Sequence, residues 1–364
     1  MQHSQAQLNQ TPPLVEIPRE YNAAYDLLMR HAERAHKTAF IDGQSGRGLT
    51  YGQLTDQSWR FANALRAQGL KPESRVMLCM LDTPEWVVAF LGCMLAGVVP
   101  IATNTLLTSK DFDYMLRDSR AQGLFVSHAL LPSFEPLLAE LPAIDTVWVA
   151  GAPEGFTAHP RLEAQIAAAD PRPQCHPTCS DDICFWLYSS GSTGSPKGTV
   201  HLHSHLIQTA ELYGQGVLGI RESDVVYSAA KLFFAYGLGN AFTFPMSVGA
   251  TTVLLPARPT TDDVFGILKN KVADALRRQY REPLILEVEH NIDDELFDVH
   301  GHWWLDTAPE LWDTPESQAL RFDIGWDWVP ADQRHGREKF FQEFHCCFPL
   351  RLSAAGRSRG SAPA

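Results

Sequence analysis

Ile183-Cys184-Phe185-Trp186-Leu187-Tyr188 runs straight into Ser189-Ser190-Gly191-Ser192-Thr193-Gly194-Ser195-Pro196-Lys197-Gly198. The first six residues are an unbroken apolar run of strand length, which reads as a buried strand. The stretch behind them gathers glycines and hydroxyls around one lysine, the composition of a loop that wraps a polyphosphate. Glycines let backbone N–H groups approach anionic oxygens with no Cβ in the way. The hydroxyls of Ser189, Ser190, Ser192 and Thr193 can donate to the same oxygens. Lys197 adds a point charge worth up to about 4 kcal/mol against a phosphate in a partly screened site. A plain Ser/Gly linker fits less well, because linkers rarely sit directly behind a buried strand. The pattern G-x-x-x-x-G-K-[ST] does not fit either: Gly191 and Gly194 are too close, Pro196 precedes the lysine, and Gly198 follows it.

Outward from this stretch the chain alternates helices with buried strands. Residues 21–35 read as an amphipathic helix through Ala24, Leu27, Leu28 and Ala32. Leu49-Thr50-Tyr51-Gly52-Gln53-Leu54 opens a second helix carrying Phe61, Ala62, Ala64 and Leu65. Val76-Met77-Leu78-Cys79-Met80-Leu81, Gly123-Leu124-Phe125-Val126-Ser127 and Thr146-Val147-Trp148-Val149-Ala150 read as strands. Val225-Val226-Tyr227-Ser228-Ala229 and Thr251-Thr252-Val253-Leu254-Leu255 read as two more. The apolar run 86–103 is broken by Gly92, Gly97 and Pro100, so it predicts a buried helix entering a strand rather than a membrane span. The alternation argues for a doubly wound α/β sheet with flanking helices.

The loop resembles the signature of the adenylate-forming enzymes, [ST]-[SG]-G-[ST]-T-G-x-P-K-G, and matches it throughout. Gly69-Leu70-Lys71-Pro72-Glu73-Ser74-Arg75-Val76, Asp82-Thr83-Pro84-Glu85-Trp86 and Gly97-Val98-Val99-Pro100-Ile101-Ala102 are similar to the N-terminal half of that superfamily. Ala230-Lys231-Leu232-Phe233-Phe234-Ala235-Tyr236-Gly237-Leu238-Gly239-Asn240 is similar to the acyl-pocket segment of its benzoate–CoA ligases. The resemblance implies that Ser189, Ser190, Gly191, Ser192, Thr193, Gly194 and Lys197 hold ATP phosphates. It implies that Phe234, Ala235, Tyr236 and Gly237 border a flat aromatic acid, for which a narrow apolar slot is suited. The implied chemistry is adenylation of an aromatic carboxylate by ATP with Mg²⁺, then transfer to CoA. Benzoate leads as substrate, with hydroxy- and aminobenzoates behind it.

The resemblance covers about residues 15–268. This predicts a partial AMP-binding domain over 1–268, an unrelated tail of mixed α/β character over 269–352, and a disordered end over 353–364. No Tyr-Gly-x-Thr-Glu segment, ribose-holding aspartate or C-terminal lysine of the superfamily is readable in 269–364, so the catalytic residues are left open. The expectation is an enzyme by descent but incomplete. The alternatives are a non-catalytic binder of ATP or an aromatic acid, and a separate activity in the tail. In the tail, residues 271–280 read as a helix and 284–290 and 295–300 as strands; Asp298, His300, His302 and Asp306 could gather around a metal, but such spacing also occurs in ordinary surface turns, and no metal is expected.

Length and composition agree with a globular chain long enough for two domains. A formal net charge of −12 over 364 residues argues against a duplex nucleic acid as partner. Seven scattered cysteines and no basic-apolar leader point to reduced thiols in the cytoplasm, with no membrane partner. Cys175-His176-Pro177-Thr178-Cys179 lacks a second pair to complete a zinc site and reads as a loop. His201, His203 and His205 would share a face if they lay on one strand, but no metal is expected there.

Overall fold

The computed structural model describes residues 1–9, 13–189, 195–258, 260, 266–267 and 350–352. An exposed hairpin of β1 (Gln5–Gln7) and β2 (Leu14–Glu16) opens the chain. Its arm is tied down at Asp26, a buried carboxylate that accepts from Ser4 Oγ at 2.7 Å, Tyr21 OH at 2.9 Å and Arg30 Nη2 at 2.8 Å. Asp26 lies in α1 (Ala23–Met29), which starts where the Asn22 side chain accepts from the backbone N–H groups of Ala24 and Tyr25.

That helix is shorter than the predicted 21–35. Tyr21 is still extended, donating its N–H to Thr178 O at 3.0 Å. Past Met29 the backbone tightens into a 3₁₀ turn, Ala32–Arg34. The break lets Arg30 reach Asp26 and Glu211 while His31 Nε2 meets Met246 O at 2.5 Å. Tertiary hydrogen bonds here override the periodicity.

β3 (Thr38–Asp42) and β4 (Gly48–Thr50) form a hairpin, and Thr50 then caps α2 (Tyr51–Ala67) in a reciprocal box with Gln53. β5 (Arg75–Cys79) leads to α3 (Pro84–Ala96), nearly every residue of which is buried. Gly97 ends α3 in the left-handed region at φ +75°, and a Cβ there would sit 2.5 Å from the His176 ring. The predicted buried helix thus enters β6 (Val99–Ala102) as expected. Among the described residues no helix is long and apolar enough to cross a membrane.

The chain continues through α4 (Ser109–Ser119), β7 (Gly123–Ser127), α5 (Glu135–Leu138), β8 (Thr146–Ala150) and α6 (Leu162–Ala168). β9 (Ile183–Ser189), β10 (Lys197–Leu202) and α7 (His203–Thr209) follow. A π-helical stretch, Ala210–Gln215, then leads toward β11 (Val225–Tyr227). After it come α8 (Ala235–Leu238), a second π-helical turn (Gly239–Thr243), α9 (Phe244–Val248), β12 (Thr251–Leu254) and β13 (Leu350–Leu352).

Two larger sheets result. One has strand order β10-β9-β6-β5-β7-β8, parallel except for the β10–β9 pair. The other has order β13-β11-β12-β3-β4, joining strands from both ends of the described chain. α2 and α3 pack together, and Phe61 meets Phe125 at 5.2 Å and Trp148 at 5.5 Å, edge to face. A second aromatic run, Trp86–Phe90–Phe242, ties α3 to the second π-helical turn.

The α/β class with flanking helices is therefore as the alternation predicts. The readings made for 271–280, 284–290, 295–300 and 353–364, and for Asp298, His300, His302 and Asp306, lie outside the described residues. So does all of 269–352 save β13.

Candidate adenylation site

β9 is parallel to β6, with Ile101 opposite Trp186 and Ala102 opposite Leu187. Its carboxyl end therefore points the same way as those of β5, β6 and β7. In open α/β sheets, ligands collect in the crevice at that end. Ser189 closes β9 there and lies directly opposite Lys197, the first residue of β10; both are exposed. A hydroxyl and an ammonium thus flank the mouth of the hairpin. The other loop residues, Ser190, Gly191, Ser192, Thr193 and Gly194, lie outside the described residues. Tyr188, just before the mouth, is held by its hydroxyl donating to Asp118 Oδ2 at 2.6 Å. Burial and that carboxylate both push its phenol up, so it stays a donor at every ordinary pH.

Residues 230–240, which the resemblance expects to border an aromatic acid and which are therefore termed the aryl segment, lie between β11 and β12. Phe233 is buried and its ring lies 4.5 Å from that of Phe234, which is half exposed. Ala235 is exposed, Tyr236 partly buried and Gly237 buried. The loop closes on itself: Phe234 N–H donates to Lys231 O at 3.0 Å, and a Cβ on Gly237 would fall 2.0 Å from that same oxygen. No side chain fits there, which is the reason for glycine at this position.

Two charged residues that the sequence reading left unassigned hold the segment in place. Buried Asp82, in the turn between β5 and α3, accepts the Leu232 N–H at 3.2 Å. Lys231 Nζ stands 3.9 Å from the same carboxylate and donates to Leu255 O at 2.5 Å and Ala257 O at 2.7 Å. Lys231 thereby staples the aryl segment to the chain leaving β12. Burial pushes Asp82 up, to about 6, against the pull of Lys231 and the Leu232 N–H. Burial likewise lowers Lys231, against the pull of Asp82. At 3.9 Å the pairing is too loose to offset the loss of water around both charges. A lysine inside the apolar run 230–238, and an aspartate straight after a buried strand, are the signals that could have marked these two.

The arrangement suits anionic oxygens more than a bare cation, since Lys197 repels a cation at the hairpin mouth. Among the described residues one group has metal-type spacing, Cys179, Asp181 and Asp182, at the far end of β9. Its carboxylates are engaged, Asp181 with Arg19 and Asp182 with the Cys179 N–H.

The three histidines do not share a strand face. β10 ends at Leu202, and His203 begins α7. His201 stacks on Phe185 at 4.5 Å, His205 Nδ1 accepts the Leu202 N–H at 3.2 Å, and buried His203 Nδ1 accepts the Ala23 N–H at 3.1 Å. A cavity of about 510 Å³ lies elsewhere, beside His3, Asp26, Arg30 and Glu211; Arg30 pairs with both carboxylates, and His3 Nδ1 lies 2.7 Å from Asp26 Oδ1. The described cysteines, Cys79, Cys93, Cys175, Cys179 and Cys184, are all free thiols.

A parallel sheet that ends in this hairpin, flanked by helices, is the architecture of the N-terminal domain of adenylate-forming proteins. Residues 28–274 match the family model of the AMP-binding enzymes, and the chain belongs to that family. It is 50% identical over 274 residues to a benzoate–CoA ligase of Thauera aromatica, covering 74% of this chain and 51% of that protein. It is 45% identical over 253 residues to a 4-hydroxybenzoate–CoA/benzoate–CoA ligase of Rhodopseudomonas palustris, covering 69% and 46%. The crystal structure of a benzoate CoA ligase from Burkholderia xenovorans superposes with a TM-score of 0.61 at 47% identity, over 68% of this chain and 48% of that one. That of an anthranilate CoA ligase in complex with anthranoyl-AMP gives 0.65 at 35% identity, over 69% and 48%. The chain thus spans about half the length of the curated relatives it matches.

Proposed function

We propose that residues 1–268 form the N-terminal part of an acid-activating domain that handles an aromatic carboxylate, ATP and CoA. The observation that carries this reading is the 50% identity to a benzoate–CoA ligase, which extends through the aryl segment. In this reading Ser189, Ser190, Gly191, Ser192, Thr193, Gly194 and Lys197 cradle the β- and γ-phosphates of MgATP. The carboxylate attacks the α-phosphate, forming the acyl-adenylate as the P–O bond to pyrophosphate breaks. Lys197 balances the charge of the departing pyrophosphate, a stabilisation that grows as the bond breaks. Phe234, Ala235, Tyr236 and Gly237 border the ring and fix its angle, so orientation is set before reaction. CoA thiolate then attacks the activated carbonyl and AMP leaves.

The alternative reading is binding of ATP or an aromatic acid without turnover. Benzoate-dependent exchange of pyrophosphate into ATP by the full chain separates the two. Exchange above background supports activation. ATP and benzoate binding without exchange supports the binder, and absence of both kinds of binding overturns the assignment. Lys197→Ala is expected to weaken ATP binding by about ten- to a hundredfold, the scale of one charge-assisted phosphate contact, read by titration calorimetry.

A further inference from the structure

Asn240 is fully buried, and neither its amide nitrogen nor its amide oxygen has a hydrogen-bond partner among the described residues. A buried amide with both ends unmet is costly, and native interiors seldom keep one without a use for it. Its place suggests the use. α8 runs directly into the π-helical turn that holds Asn240, with Leu238 and Gly239 both in helical conformation. Along this rod Ala235 is exposed, Tyr236 partly buried, and 237 through 240 buried. Asn240 therefore lies about one turn inward from the residues assigned to the ring. π-helical turns inside helices are themselves concentrated at functional sites. The turn's other polar side chain, Thr243, is its last residue, whereas Ala241 and Phe242 belong to the apolar core.

We propose that Asn240 is a specificity-determining residue whose amide receives a hydrogen-bonding substituent on the ring of the aromatic acid. This rests on the reading of the aryl segment given above. A ring hydroxyl can donate to Oδ1 and accept from Nδ2, meeting both unmet atoms at once, whereas an unsubstituted ring meets neither. Sites built to hydrogen-bond a substituent reject the analogue that lacks it, because their own polar atoms are then left unpaired. The preferred ligand class is thus a hydroxy- or aminobenzoate, ahead of benzoate itself.

The test is ligand affinity of the full chain, by tryptophan fluorescence titration, for benzoate, 3- and 4-hydroxybenzoate and 3- and 4-aminobenzoate. The expected result is at least tenfold tighter binding of one substituted acid. In Asn240→Leu that acid should fall to the level of benzoate while benzoate is unchanged, and Asn240→Ser should restore part of the preference. A preference that survives Asn240→Leu, or equal weakening of all ligands, overturns the proposal while leaving the aryl-segment reading intact. Binding of no aromatic acid by the unsubstituted chain overturns both. Thermal unfolding gives an independent check: Asn240→Leu, similar in volume, should hold or raise Tm. A large drop or failure to fold would mean that the amide serves the structure, and would also sink the assignment.

Discussion

His203 must stay neutral to do its work. Its Nδ1 accepts the Ala23 N–H at the start of α1, and burial pulls its pKa down to about 4. His31, buried against Met246 O, is pulled to about 4 for the same reason. A base depressed from 6.5 contributes stability that is fully present above its unfolded value. That stability is lost as pH falls toward 4, roughly 3 kcal/mol for each histidine. Asp82 has the opposite sign: raised to about 6, it favours folding below the ordinary carboxylate range, and the gain disappears as pH rises through 6. Acidification from pH 7 to 4.5 is therefore expected to lower the denaturation midpoint, with Asp82 partly offsetting the histidines. Asp82→Asn should make that loss steeper and His203→Asn, which keeps an acceptor, shallower; urea titrations across the range would reveal either trend. None of these environments was legible beforehand. A histidine two residues past a strand-like stretch gives no sign that the strand has ended and a helix begun.

At the scale of elements, the sequence is most readable where apolar runs are short, β-branched and closed by turns. The strands at 123–127 and 146–150 have the bounds their residues predict. Helix α1 does not, because its end is decided by Arg30 and His31 reaching partners 181 and 215 residues away. Residues 230–240 offered a motif in the sequence but no geometry, since their shape depends on Asp82 and Lys231. Gly237→Ala tests that geometry. The new methyl collides with Lys231 O, so the segment must reopen, costing about 2 kcal/mol or more. Aromatic-acid affinity should fall further than stability alone would suggest, as calorimetric titration beside a melting curve would show. Gly97→Ala, strained by its positive φ and by the His176 ring, is expected to lose about 1–2 kcal/mol with no such effect on ligand.

For the molecule as a whole, the two larger sheets differ in how they are assembled. The six-stranded sheet uses six consecutive strands, wound outward from β5 to both sides, and its βαβ pattern was plain in the sequence. Among the described residues β10 forms one of its edges, carrying Val200, while Ile183 at the start of β9 is likewise exposed. Open edges bearing apolar side chains invite pairing with a second chain. Val200→Lys is therefore expected to reduce concentration-dependent association in light scattering without shifting Tm, and unchanged association would place the contact elsewhere. Two strands of the other sheet, β11 and β12, were legible locally, but its pairing was not, because the partners are remote. β3 lies between β4, its hairpin neighbour, and β12, which follows it by more than two hundred residues. That separation has a meaning in time. At about 5–20 residues per second, a ribosome needs roughly 10–40 s after making β3 before β12 exists to lie beside it. Through that interval Phe40, destined for the core, has no partner strand on one flank. Survival of the nascent chain then depends on how well the first-made helices, or a chaperone, shelter one short hairpin.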